Sequence, residues 1–274
     1  MNPRERGPQP GRVLDVRREV DLQGRGTEFD FGVKELVVTR DDFSLDMARQ
    51  ILANETIATI GYGRQGRAQA LNLRDNGIRV VIGVRRGGSY DTAVKDGWVP
   101  GVNLFSVEDA VRRGTITQIL LPDSEQVKEW PKIKPLLKKG SALYFSHGFG
   151  ITYREQTGIV PPEDVDVFMV APKGAGWTVR DHFEHGRGIN SSFAIAQDAT
   201  ERALERTLAM GIAIGSGFLF PTTFEKEVFS DLTGERGVLI GGIDALGRAG
   251  YRNLRELGIS PEEAAKLSTV KLTH

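Results

Sequence analysis

Cysteine is missing from all 274 residues, which excludes disulfides, thiolate metal sites and a cysteine nucleophile together. Long apolar runs are missing as well: no stretch approaches the ~18 residues a spanning helix needs, and the chain does not open on the apolar core of a signal peptide. Neither charge is in excess. Lys plus Arg equals Asp plus Glu at 36 each, and the isoelectric point is about 6.9. No global field draws the chain to nucleic acid or to anionic membrane, so neither is expected as a partner and any anion site must be local. Residues 1–32 hold six arginines but also six acidic residues, unlike an acid-poor transit peptide. A cytoplasmic protein is the expectation. What is present, 39% hydrophobic residues, 26% charged residues and 33 glycines, is the make-up of a soluble α/β protein with many tight turns.

Along the chain, residues 1–32 mix Pro, Gly and charge without periodicity and predict a loosely ordered arm. A helix is predicted over Ser44 to Asn54, with Leu45, Ala48 and Leu52 on one face, and a buried strand over Thr56 to Ile60. Helices over Gly66–Asn76, Val107–Arg112, Trp130–Leu137 and Thr200–Met210 then alternate with strands over Arg79–Gly83, Thr115–Leu121, Ala142–Phe145, Val165–Val170 and Phe193–Ile195. That alternation predicts a Rossmann-like, doubly wound parallel sheet over residues 33–221, with ligands at the carboxyl ends of its strands. Residues 222–274 carry helical periodicity, as in Leu246, Tyr251, Leu254 and Leu257, and predict a short all-helical domain.

Gly61-Tyr62-Gly63-Arg64-Gln65-Gly66 matches G-x-G-x-x-G. Alone the pattern is weak. Here it follows a predicted strand and opens a predicted helix, so backbone N–H groups and the helix N-terminus can meet a pyrophosphate. At the end of the next strand, where an NAD enzyme places an acid for the ribose 2′-hydroxyl, this chain has Arg85 and Arg86, then Ser89. Guanidiniums suit a 2′-phosphate, so NADPH is the expected cofactor; solvated surface arginines are the competing reading. Two further strand ends are polar. Leu120-Leu121-Pro122-Asp123 closes one, and Ser146-His147-Gly148-Phe149 follows another, where a histidine reads as well as a site residue as a structural one. His182 and His185 flank Glu184 but read as a surface helix end, not a metal site.

Read in order, I-G-Y-G-R-Q-G-R-A-Q-A-L-N-L-R-D-N-G at 60–77, D-G-W-V-P-G at 96–101, Y-F-S-H-G-F at 144–149, V-A-P-K-G at 170–174, G-R-G-I-N-S-S at 186–192 and S-D-L-T-G-E-R-G at 230–237 resemble ketol-acid reductoisomerase. The resemblance runs from about Phe29 to about Pro261. It implies an oxidoreductase and isomerase of valine and isoleucine synthesis, in which Mg²⁺ supports alkyl migration in 2-acetolactate or 2-aceto-2-hydroxybutyrate and NADPH reduces the product to a 2,3-dihydroxy acid. Position by position it implies NADPH binding by Gly61, Tyr62, Gly63, Arg64, Gln65, Gly66, Arg85, Ser89, Leu121, Pro122, Asp123 and Gln126, with Gly176 near the reactive end. It implies His147 as the active-site histidine and Lys173 as a lysine close to metal and nicotinamide. Asp231 and Glu235 match the first pair of metal ligands. On spacing alone they read as a solvated acidic face; as ligands, a separation of four puts both carboxylates on one helix face, as Mg²⁺ requires. The catalytic partner expected is therefore a small 2-acetohydroxy acid, and a homo-oligomer is expected.

The sequence departs from the family where the second domain should continue. If Gly247 to Pro261 is aligned with the family's helix and turn, its second glutamate pair falls at Leu267 and Lys271, neither of which can ligate magnesium. The expectation is a partial form of the family's knotted-type helical domain at residues 222–274, with apolar surface left uncovered. The alternative to a working reductoisomerase is an NADPH-binding, catalytically impaired or truncated homologue.

Overall fold

The computed structural model describes residues 14–30, 32 and 34–268. The chain divides into two compact units between Glu227 and Val228, six residues beyond the division that the change in periodicity suggests. In the first unit β1 (Thr27–Asp30) pairs with β2 (Lys34–Thr39), and α1 (Leu45–Ile51) leads to β3 (Ile57–Ile60) and α2 (Arg64–Asp75). Then come β4 (Val80–Gly83), α3 (Gly88–Lys95), the short β5 (Leu104–Phe105), α4 (Val107–Arg113), β6 (Ile116–Ile119) and α5 (Asp123–Ile133). After β7 (Ala142–Phe145) lie two single turns, α6 (Phe149–Thr152) and α7 (Arg154–Thr157), followed by β8 (Asp166–Pro172), α8 (Gly176–Glu184), β9 (Ser191–Gln197), α9 (Ala203–Ala213) and β10 (Phe218–Pro221). Next is α10 (Phe224–Asp231), then π-helical turns over Leu232–Gly242, α11 (Ile243–Glu256) and α12 (Pro261–Ser268).

The sheet order is β1-β2-β10-β9-β8-β7-β6-β3-β4-β5. From β8 to β5 every pairing is parallel. The expectation of a parallel sheet needs correcting beyond that point: β9 runs antiparallel to β8, and β2 runs antiparallel to both β10 and β1. After β8 the chain makes only the short helix α8 before β9, and it returns alongside in the opposite direction, with Phe168 opposite Ile195 and Val170 opposite Phe193.

Strand residues alternate between two buried layers. Ala142 and Tyr144 enter one and Leu143 and Phe145 the other; Phe168 and Val170 are likewise separated from Met169 and Ala171. A strand apolar on both faces must be covered on both, which is the physical content of a doubly wound sheet. Helix starts follow side-chain chemistry: Ser44 caps α1 through the N–H of Met47, and Ser106 caps α4 through the N–H of Asp109, each satisfying an orphan donor.

The arm expected to be loosely ordered is in part built into the fold. Thr27–Asp30 is a strand, Leu22 is buried, and the N–H of Asp15 donates to the Ala196 carbonyl at 2.9 Å. Its exposed, charged strand lacks an apolar alternation that sequence could reveal; residues 1–13 and 31 of the arm lie outside the described residues.

In the second unit α12 packs on α11 beside Gly250, where an added Cβ would make ordinary contact with that of Ser268 at 3.5 Å. α11 closes in a Schellman turn at Gly258 (φ +83°), with Ile259 N–H bonded to the Leu254 carbonyl and Gly258 N–H to that of Arg255. Val238, Leu239, Ile240, Ile243, Leu246 and Leu257 are exposed.

Candidate active site

The glycine turn sits at the carboxyl end of β3, and each glycine has its own steric reason. Gly61 has φ +95°, and a Cβ on it would lie 2.9 Å from the Leu120 carbonyl oxygen. A Cβ on Gly66 would lie 2.2 Å from the Gly61 carbonyl, so only glycine lets α2 pack this close. A Cβ on Gly63 would meet nothing within 4 Å, which leaves an open cradle before the helix. Gly63 is the N-cap of α2, with no side-chain cap and no acid in the first turn. The N–H groups of the first turn, at the positive end of the helix dipole, therefore suit an anion.

The side chains around the turn hold it rather than reach from it. Tyr62 is buried, donating from its hydroxyl to Asp96 Oδ2 at 2.9 Å and accepting from Trp98 Nε1 at 2.7 Å. Arg67 grips both Asp96 oxygens at 2.6 and 2.8 Å. Those Arg67 bonds, opposed by partial burial and aided by Tyr62, hold the Asp96 carboxyl below its ordinary value, while burial pushes the Tyr62 phenol up. Gln65 donates to the Gly174 carbonyl at 2.9 Å. A Cβ on Gly176 would lie 2.2 Å from the Arg64 carbonyl, so α8 seats directly against the start of α2. The side chain of Arg64 is exposed.

Arg85 and Ser89 flank the turn beyond β4, both exposed, and Arg86 lies 5.0 Å over the Tyr90 ring. On the other side, Leu121 and Pro122 lead into α5, which begins at Asp123; buried Gln126 fastens this stretch by donating to the Leu121 carbonyl at 2.8 Å. The helix thus starts at Asp123, seven residues before the expected start at Trp130, because Pro122 is its N-cap rather than the end of a strand.

At the carboxyl ends of β7 and β8 stand His147 and Lys173. A residue that sequence reasoning missed brings them together: Glu227, buried to 3% exposure, receives His147 Nδ1 at 3.1 Å and the Gly148 N–H at 2.9 Å on one oxygen, and Lys173 Nζ at 3.4 Å on the other. Burial works against its charge, yet the His147 hydrogen bond, the Lys173 and His147 charges and the Gly148 N–H together hold its carboxyl below the ordinary value. The carboxylate makes Nδ1 the donor and leaves Nε2, itself buried, as the ring nitrogen that does not face Glu227. The available signal was the recurrence of acids at 227, 231 and 235, four apart.

A buried polar chain backs this end of the sheet. Thr59 donates to Gln118, Gln118 and Tyr144 both donate to Gln69, and Gln69 donates to Ser146 beside His147 and to Gln65 of the glycine turn. The Ser146 hydroxyl continues to the Val170 carbonyl at 2.9 Å. Such a chain fixes donors in place only when every member is satisfied.

In the second unit Asp231 is half-buried and Glu235 exposed. The spacing predicts one α-helical face. Instead α10 gives way at Leu232 to π turns, with Gly234, Gly237, Gly241 and Gly242 weakening the α-helix there. Both side chains carry hard carboxylate oxygens, the donor type Mg²⁺ takes. His182 and His185 lie at the end of α8, where the surface reading put them.

An uncapped helix N-terminus behind a glycine turn, flanked by polar strand ends on a doubly wound sheet, defines a dinucleotide-binding fold of the Rossmann class. Comparison with known proteins narrows this. Residues 51–218 match the model of the acetohydroxy acid isomeroreductase NADPH-binding domain, and residues 224–272 that of the ketol-acid reductoisomerase C-terminal domain. The chain belongs to the ketol-acid reductoisomerase family.

It is 60% identical over 243 residues to the ketol-acid reductoisomerase (NAD(+)) of Desulfosudis oleivorans, covering 88% of this chain and 69% of that one. Against the probable mitochondrial ketol-acid reductoisomerase of Schizosaccharomyces pombe the identity is 53% over 246 residues, covering 89% and 61%. The chain thus spans about two thirds of the length of these relatives. An NADH-preferring ketol-acid reductoisomerase from an uncultured archean has the same fold, with TM-score 0.76 and 39% identity, covering 86% of this chain and 71% of that one. Among the described residues no helix is long and apolar enough to cross a membrane.

Proposed function

We propose that this chain catalyses the ketol-acid reductoisomerase reaction, converting 2-acetolactate or 2-aceto-2-hydroxybutyrate into 2,3-dihydroxy acids for valine and isoleucine synthesis. The observation that carries the reading is the buried Glu227, which gathers His147 and Lys173 at the strand ends beside a dinucleotide turn. Gly63, Arg64 and Gln65 offer N–H groups to the pyrophosphate, Leu121 to Gln126 form the other wall, and Arg85, Arg86 and Ser89 favour NADPH through its 2′-phosphate. Asp231 and Glu235 are the ligands proposed for Mg²⁺. When bound, the metal polarises substrate oxygens and NADPH supplies hydride.

The chain's own groups do the rest. Glu227 keeps His147 in one orientation, so Nε2 can give or take a proton at a substrate oxygen. Lys173 brings a positive charge to the same place and stabilises negative charge developing there. A cytoplasmic location and a homo-oligomer complete the reading. The oligomer is supported by the exposed apolar side chains from Val238 to Leu246, a larger group than an isolated surface normally leaves uncovered.

The test is NADPH consumption by the full chain with 2-acetolactate, with and without Mg²⁺, beside a direct NADPH titration. Consumption that needs both substrate and metal is the expected result. Tight NADPH binding without consumption at any metal concentration removes the activity and leaves a dinucleotide-binding homologue.

A further inference from the structure

We propose that Glu125 sets this chain's choice between phosphorylated and unphosphorylated nicotinamide dinucleotides, by competing with the 2′-phosphate for Arg85. The inference rests on the reading that the dinucleotide occupies the Gly61–Gly66 turn. In the sheet β4 and β6 lie on either side of β3, so the segments leaving their carboxyl ends flank that turn. Arg85 comes from the first and Glu125, in the opening turn of α5, from the second. Their side chains meet across the gap, Arg85 Nη2 to Glu125 Oε2 at 2.7 Å.

The guanidinium assigned to the 2′-phosphate is therefore already engaged by a carboxylate. Glu125 is anchored where it is, because its other oxygen takes Lys128 Nζ at 2.6 Å and its side chain is only 22% exposed, against 67% for Arg85. Arg86, the other cation on this side, is spread over the Tyr90 ring. A 2′-phosphate bearing nearly two negative charges must displace Glu125 from Arg85 or lie beside it, and both cost binding energy. A ribose 2′-hydroxyl meets no such opposition. It can donate to a carboxylate, the group that selects NADH in dinucleotide folds when it stands at the second strand. Here the carboxylate arrives from another loop, where reading the strand end alone does not find it. Glu125 thus narrows the preference that Arg85, Arg86 and Ser89 set up and leaves NADH as a usable cofactor.

The experiment is fluorescence titration of NADPH and NADH against the full chain, for the wild type, Glu125→Gln, Arg85→Ala and the double variant, with thermal melts to verify folding. Glu125→Gln is expected to raise NADPH affinity relative to NADH by about fivefold, the size an exposed ion pair supports. In the Arg85→Ala background the same change should move the ratio by less than about twofold, since the coupling runs through the pair. An unchanged ratio, a ratio that falls, or a full effect without Arg85 would each overturn the proposal. If the wild type binds neither dinucleotide, the reading of the glycine turn itself fails. A second variant, Glu125→Ala, gives the same comparison should the glutamine chain not fold.

Discussion

The two ends of the parallel strands each hold a buried charged cluster, built in opposite ways. At the amino ends Arg206 lies between Glu55 at 2.9 Å and Asp166 at 2.8 Å and donates also to the Gly140 carbonyl. Asp166 is further bonded by the N–H groups of Ala199 and Thr200 and by the Thr200 hydroxyl. All three charged side chains are at most 6% exposed. At the carboxyl ends one buried carboxylate, Glu227, faces His147 at 21% and Lys173 at 36% side-chain exposure. The first cluster is buried, with Arg206 between the two carboxylates and the half-exposed Arg202 3.8 Å from Glu55, which makes it a clamp. The second leaves its partners partly exposed at the strand ends. Burial of charge alone does not mark a working site; a buried charge that aims accessible groups does.

The sharpest way to break the comparison is to remove one member from each end. Arg206→Ala leaves two buried carboxylates facing one another, so stability is expected to fall by about 3–5 kcal/mol, read from urea unfolding. A loss below about 1 kcal/mol would mean the amino-end cluster is no clamp. Glu227→Gln keeps the shape but loses the charge that orients His147. Turnover should fall on the order of 100-fold while NADPH affinity stays within about twofold; equal losses in both would make Glu227 structural like Arg206.

Gly66→Ala puts a methyl 2.2 Å from the Gly61 carbonyl oxygen. NADPH affinity should drop about tenfold to 100-fold, the range of an overpacked contact at ~1–3 kcal/mol, measured by fluorescence titration. The smallest effect expected is at Asp96. Its carboxyl is held below the usual value, first by Arg67 and then by Tyr62, so its contribution is complete above the unfolded value of about 3.9 and is lost as acid passes through the lower folded value. Asp96→Asn should cost ~1.5 kcal/mol at neutral pH and flatten the stability curve below about pH 4. A variant with the same acid limb as the wild type would show that Asp96 does not govern it.

Local patterns made much of this legible. The glycine turn, the strand at Ala142–Phe145 and the placing of His147 at a strand end follow from residues adjacent in sequence, while Lys173 was legible only through the family resemblance. Glu227 does not, because it reaches its partners from 80 and 54 positions away and reads by itself as one more acid on a helix. The same is true of the Arg85–Glu125 pair, 40 positions apart. β1, β2 and β10 escaped because they are short and partly exposed, with no clean alternation. The π turns escaped because the glycines that favour them also read as ordinary helix breakers.

A crystal structure of the full chain soaked with NADPH and Mg²⁺ tests the central claim most directly. The pyrophosphate should lie against the N–H groups of Gly63 to Gln65, with the nicotinamide ring in reach of Lys173 and His147. A nucleotide bound elsewhere, or lying on the turn with its nicotinamide directed away from those two residues, would contradict the account.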